Sequence, residues 1–322
     1  MQFPQKEGKL FEYTRPAAKA GAARGGTGRP PHIYAAGRGK MPAPGEGKEE
    51  GMKRAAALLV LLVCLALGAL RWVDLLNYCD LATGFVTRGE FWWRYAAMGG
   101  AAVLLWLGGF LAPRRPACML RTSRPLGLCS ALCAVSWAAA AGVTLTQALA
   151  REDNVQLALS ILYVLTALWL FLMAASRLTR YIDAPSGSAL VGVAGTIGLY
   201  LLTVCRFGFR PASIQRISVT VEALSALAVL LFMSVLVRAS YLPFTSCGRR
   251  LTFLGGTAFL FCTCLEMPQT FCRWVAGYAQ QGEMALSLAL GCTGLLGALS
   301  ALCAVAGGEG GPAPARREEE EE

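Results

Sequence analysis

Apolar residues are gathered into long blocks along this chain, and the blocks are separated by short polar stretches that carry most of the charge. A helix rising 1.5 Å per residue needs about 20 apolar residues to cross the hydrocarbon of a bilayer. Eight blocks meet that requirement within a few residues. They run from Ala55 to Leu70, Tyr95 to Ala112, Leu126 to Ala148, Val155 to Ala175, Ser188 to Cys205, Ile217 to Val237, Leu251 to Met267 and Met284 to Ala306. The pattern predicts an all-α, polytopic integral membrane protein with about eight transmembrane helices. Composition agrees: 55% of residues are apolar and 16% charged, outside the usual balance of a soluble domain.

Residues 1–51 break the pattern. They are rich in Gly, Pro, Ala, Lys and Arg, hold the single histidine, His32, and show no hydrophobic period. Such a segment buries too little to fold alone and reads as disordered and basic. Five of the six lysines lie there, whereas the rest of the chain uses Arg almost exclusively. Back-translation of Lys48-Glu49-Glu50-Gly51-Met52 allows a purine-rich ribosome-binding sequence just ahead of a start codon. Met52-Lys53-Arg54 followed at once by apolar residues is also a usual opening for a bacterial membrane protein. The expectation is a bacterial protein starting at Met52, with 52–306 as the transmembrane domain. The competing reading is a basic arm for anionic lipid or nucleic acid, but its mixed charges and lack of a stacking platform argue against nucleic acid. The end, 307–322, is Gly- and Pro-rich, closes on five glutamates and reads as a disordered acidic tail.

The first apolar block is long for a cleaved signal, so a retained helix is expected. A lipidated Cys64 is unsupported because Val63 stands where a small residue is needed. With the start of the first helix inside, thirteen Lys and Arg fall on the inner side and eight on the outer. This bias places both termini in the cytoplasm of a cell-membrane protein. Trp72, Trp92, Trp93, Tyr95, Trp274 and Tyr278 flank the outer boundary as interfacial anchors.

Lipid supplies no hydrophobic drive between helices, so small residues must let them pack closely. Gly192, Gly195 and Gly198 in the fifth block, and Gly291, Gly294 and Gly297 in the eighth, form two stripes suited to helix packing.

Ionisable residues inside apolar blocks are few and costly in hydrocarbon. Glu222 lies about 7 to 8 Å below the outer boundary of the sixth block. Glu266 closes the seventh block before Pro268, and Asp74 ends the first. Arg206, Arg210 and Arg216 bracket the loop between the fifth and sixth, while Asp80, Arg88, Glu90 and Arg94 occupy the longest outer loop. These charges gather at one depth and suggest an outward-facing vestibule for a small solute or proton, with Asp74, Arg206, Arg210, Arg216, Glu222 and Glu266 as its site.

Enzyme chemistry is not expected. Beyond Met52 there is no histidine for a triad or a His-liganded metal, and no phosphate-binding loop. No cofactor and no metal follow from the residues. Cys129, Cys133, Cys262 and Cys264 read as packing residues, and Cys79 and Cys272 as unpaired. Two functions follow. One is a small-solute permease or substrate-binding membrane subunit; the other is a non-catalytic partner, scaffold or sensor subunit acting through helix contacts with a membrane protein or another copy of itself.

Overall fold

The computed structural model describes residues 46–114, 123–179, 189–208, 216–242 and 246–306, with side chains from residue 51 onward. The disordered-arm assignment for 1–51, His32, the acidic tail 307–322 and Arg210 lie outside the described residues, except that the first helix begins at Glu46.

Nine α-helices and one π-helical turn build eight rods among the described residues. They are α1 (Glu46–Tyr78), α2 (Trp92–Gly109), α3 (Arg124–Arg151), α4 (Asn154–Leu178), α5 (Ala189–Gly208) and α6 (Ile217–Tyr241). The seventh rod is continuous: α7 (Gly248–Ala258) passes through the π-helical segment Phe259–Glu266 into α8 (Met267–Val275), and α9 (Gln281–Ala306) follows. Seven of the rods are long and apolar enough to cross a membrane. The eighth, α2, has 18 residues, among them Arg94 and four glycines, and falls outside that set. Large side chains such as Leu59, Leu62, Val103, Val135, Phe171 and Tyr200 point outward from the rods. A surface of that kind fits lipid.

Two rods outrun their apolar blocks. The first continues past Leu70 to Tyr78, and the seventh past Met267 to Val275. Pro268 does not end the seventh because it sits in the first turn of α8, where its missing N–H follows directly on the widened π turn. Glu266 therefore lies nine residues before the end of its rod, about 13 Å in, and not at the end.

Local signals start and stop the other rods. Pro125 occupies the first turn of α3, and Glu152, with φ 55°, closes that helix in the left-handed region. Asp153 then caps α4, its carboxylate accepting from the N–H groups of Val155 at 2.9 Å and Gln156 at 3.3 Å. The two-residue link folds α4 directly back on α3 and leaves Arg151 and Gln156 at the same end of the bundle.

α6, the seventh rod and α9 form the interior, with α3, α4 and α5 on one side and α1 and α2 on the other. The Trp137 ring packs, tilted by 57°, against Tyr163 at 5.1 Å between centroids and donates to Thr293 Oγ1 at 2.9 Å, tying α3 to α4 and α9. The glycine stripes are consumed inside the fold. A Cβ added to Gly198 would lie 2.7 Å from Leu162 Cβ, and one on Gly195 3.2 Å from Thr166 Cα, so the fifth rod lies on the fourth. Gly192 faces Trp169 in the same way. In α9, a Cβ at Gly297 would lie 2.5 Å from the Gly255 carbonyl, while Gly294 faces Phe259 and Gly291 faces Met267. Backbones approach this closely only where side chains are absent.

The rods alternate in direction. Arg54 Nη2 donates to the Ala306 carbonyl at 2.8 Å, so the start of α1 and the end of α9 share one face of the bundle. The opposite face gathers the ends of α1, α3, α5 and α8 with the starts of α2, α4, α6 and α9.

Candidate functional site

That opposite face holds the buried charges. Arg206 stands in the last turn of α5, Glu222 in the second turn of α6 and Glu266 at the end of the π-helical segment. Glu266, Gln269, Thr270 and Arg273 are spaced i, i+3, i+4 and i+7, which sets them on one side of α8. The π turn shifts the register so that this side faces α5 and α6 and not lipid.

Arg206 is the hub. Its Nη2 meets Glu266 Oε1 at 2.7 Å, while Nη1 donates to the Glu222 carbonyl at 2.6 Å and to Ser225 Oγ at 2.9 Å. Glu266 is 1% exposed, and a carboxylate so placed persists only beside a counter-charge. Its second oxygen, Oε2, is buried with no hydrogen-bond partner among the described residues. Arg273 Nη1 meets Glu222 Oε1 at 3.2 Å, and Gln269 Nε2 reaches the same oxygen at 3.4 Å.

Gln269 joins this cluster to a second one. It is fully buried, donates to the Ser218 carbonyl at 3.1 Å and accepts from Arg71 Nη2 at 3.3 Å. Arg71 pairs with Asp74 at 2.6 Å, and Arg94 of α2 pairs with the same carboxylate at 2.5 Å. Charges thus run unbroken across α1, α2, α5, α6 and the seventh rod. The turn beyond α1 is closed locally: the Gly84 N–H donates to the Asp80 carbonyl at 2.8 Å, and Thr83 Oγ1 donates to the Asp80 carboxylate. The Thr83 hydroxyl, with the Ala82 N–H, holds the Asp80 carboxyl below its ordinary value.

Three of the sequence-predicted residues, Arg206, Glu222 and Glu266, line one cavity of about 400 Å³. Its walls come from the ends of α3, α5 and α8 and the starts of α4, α6 and α9, and it includes Arg151, Tyr163, Arg273 and Glu283. Asp74 is not there; it lies at an apolar cleft between α1 and α2. Arg216 lies in a second cavity of about 270 Å³, with its guanidinium 4.6 Å from the centre of the Phe85 ring, and Glu222 and Arg273 form the shared wall. Arg273, Gln269 and Arg71 are functional candidates that the linear reading missed. The spacing of Glu266, Gln269 and Arg273 was a usable signal, hidden because Pro268 read as an end. Arg71 carried only its i, i+3 spacing to Asp74, and its bond to Gln269, 198 positions away, left no signal.

Cys79 and Cys272 are free thiols, as are the other described cysteines. Among the described residues no group of three His, Cys, Asp or Glu could hold a metal.

Fold and site together define a polytopic helical membrane protein with a charged network at one end of the bundle. No protein-family model, curated protein or solved structure matches the chain.

Proposed function

We propose that this protein is a bacterial cell-membrane permease or substrate-binding membrane subunit, non-enzymatic, that takes a small solute into the cavity floored by Arg206, Glu222 and Glu266. The observation that carries this reading is Glu266: a carboxylate 1% exposed, lining an open cavity, with one oxygen ion-paired and the other lacking a donor among the described residues. A purely structural ion pair gains nothing from that arrangement, because the unmet oxygen carries a desolvation cost of about 1–3 kcal/mol. A ligand that brings a donor removes the cost.

Eight passes with both ends on the face of Arg54 and Ala306 support a topology in which all eight rods cross the bilayer. In that topology α2 crosses with its one arginine neutralised by Asp74 at the boundary. The surplus of Lys and Arg on the face of the termini supports a cytoplasmic location for them and an outward-facing cavity. The partner or scaffold reading has less to work with, since both glycine stripes already pack within the chain.

Thermal unfolding of the purified protein tests the proposal. Amino acids, amines, carboxylates, sugars and inorganic ions are screened for an increase in Tm, beside Glu222→Gln. A solute that binds the native state raises Tm with concentration. At least one class should do so for the unmodified protein and not for the variant; a folded protein indifferent to every class contradicts the proposal.

A further inference from the structure

We infer that the solute is a small zwitterion of the amino-acid class, its ammonium donating to Glu266 Oε2 and its carboxylate accepting from the unused donors of Arg273. The inference rests on the solute-binding reading above and specifies its ligand.

Two unmet hydrogen-bonding needs of opposite kind belong to residues that line one cavity. Glu266 Oε2 is a buried acceptor without a donor among the described residues. Arg273 uses only Nη1, on Glu222 at 3.2 Å; its Nε and Nη2 meet no acceptor among the described residues. An ammonium group offers N–H donors to the first, and a carboxylate matches the fork of the second. A plain amine would satisfy one and leave the other, as would a plain acid.

Separation permits one molecule to reach both. Glu266 and Arg273 are seven residues apart on one helical face, about 10 Å along the axis. Helical side chains lean toward the N-terminus, so Arg273 extends back toward Glu266. Both groups converge on Glu222: Arg273 holds its carboxylate, and Arg206, the partner of Glu266, holds its carbonyl.

Charge points the same way. Among the described residues the cavity wall carries Arg151, Arg206 and Arg273 against Glu222, Glu266 and Glu283, three of each sign. A net-charged occupant would disturb that balance in a partly desolvated site, whereas a zwitterion leaves it unchanged. An apolar strip of Leu159, Leu202, Leu286 and the Tyr163 ring faces the same space and suits an aliphatic or aromatic side chain. The volume, about 400 Å³, lies within the span of small-molecule sites.

Titration calorimetry on the purified full chain tests the assignment. Amino acids with graded side chains are compared with the matching primary amines, the matching carboxylic acids and the matching N-trimethyl betaines, which keep the charge but lose the N–H donors. An amino acid should bind about tenfold or more tighter than any of its three analogues. Arg273→Gln should weaken amino-acid binding by a similar factor. Because Glu266→Gln strips Arg206 of its counter-ion and endangers folding, Leu286→Trp serves as the second variant; it fills the cavity without touching an ion pair and should abolish binding. An amine, acid or betaine that binds as tightly as the amino acid, or an amino acid indifferent to Leu286→Trp, overturns the zwitterion assignment. In that case, a solute of another class whose binding Leu286→Trp abolishes leaves the cavity reading standing; if no class binds the folded protein, both fall together.

Discussion

Arg206 and Glu266 show how much depends on single side chains where water is scarce. Removing one partner of a buried ion pair typically costs about 3–5 kcal/mol, because the survivor is left charged and unpaired, whereas replacing both by apolar residues is often neutral. Glu266→Leu alone should therefore lower Tm sharply, and Arg206→Met with Glu266→Leu should recover most of the loss while eliminating any solute response. Unfolding scans of the two variants separate the structural role of the pair from its binding role. Glycine offers a second contrast at this scale. A Cβ at Gly297 meets the Gly255 carbonyl at 2.5 Å, whereas Gly99 and Gly100 have open space around theirs. Gly297→Val should destabilise by about 1–3 kcal/mol or more through overpacking, and Gly99→Val by far less. Equal Tm losses in the two would contradict the packing described for α7 and α9. Asp80 supplies the pH dependence. Its folded value is depressed by the Thr83 hydroxyl, so the turn's stabilisation is present above the ordinary carboxylate value and is lost as pH falls through the depressed one. The hydrogen-exchange protection factor of the Ala82 amide, corrected for the intrinsic pH dependence of exchange, should fall as pH drops through the depressed value, and Thr83→Val should move that fall to higher pH.

At the scale of the element, the seventh rod decides the site. A regular α-helix from Gly248 to Val275 would meet Pro268 in its interior, where the ring clashes with the carbonyl four residues earlier. The π-helical widening between Phe259 and Glu266 removes the clash and turns Glu266 toward Arg206. Pro268→Ala should let the segment relax toward α geometry, leaving helix content by circular dichroism unchanged while weakening solute binding; unaltered binding would show that the π turn is not what aims Glu266. The limits of sequence reading appear at this scale too. Apolar blocks located all eight rods, because hydrophobicity sustained for a membrane's thickness is a strong one-dimensional signal. Two rods were read short, at Leu70 and Met267, because Arg71, Asp74, Gln269 and Arg273 look like boundary residues until their partners on other helices are known. Arg206, Glu222 and Glu266 were legible as isolated ionisable groups in apolar surroundings. Asp74 and Arg216 were legible as charges at the same depth, but depth along the membrane normal says nothing about angle around the bundle, and the fold places them in neighbouring clefts.

At the largest scale, the described bundle is polarised. One face carries both ends of the described bundle, tied by Arg54 and Ala306; the other carries a charge network that runs from Arg94 to Glu266 and touches five of the eight rods. Networks of this kind hold helices in register where lipid offers no hydrophobic drive, and the same groups recognise polar solutes where a cavity reaches them. Here both conditions meet at Glu222 and Arg273, which wall two cavities at once. The central claim, that the cavity beside Arg206 and Glu266 is a solute site, is tested most directly by an experimental structure determined with a Tm-raising solute present. The account predicts solute density within hydrogen-bonding distance of Glu266 Oε2 and against Arg273, whereas density seated elsewhere on the protein, with only water beside Glu266, would contradict it.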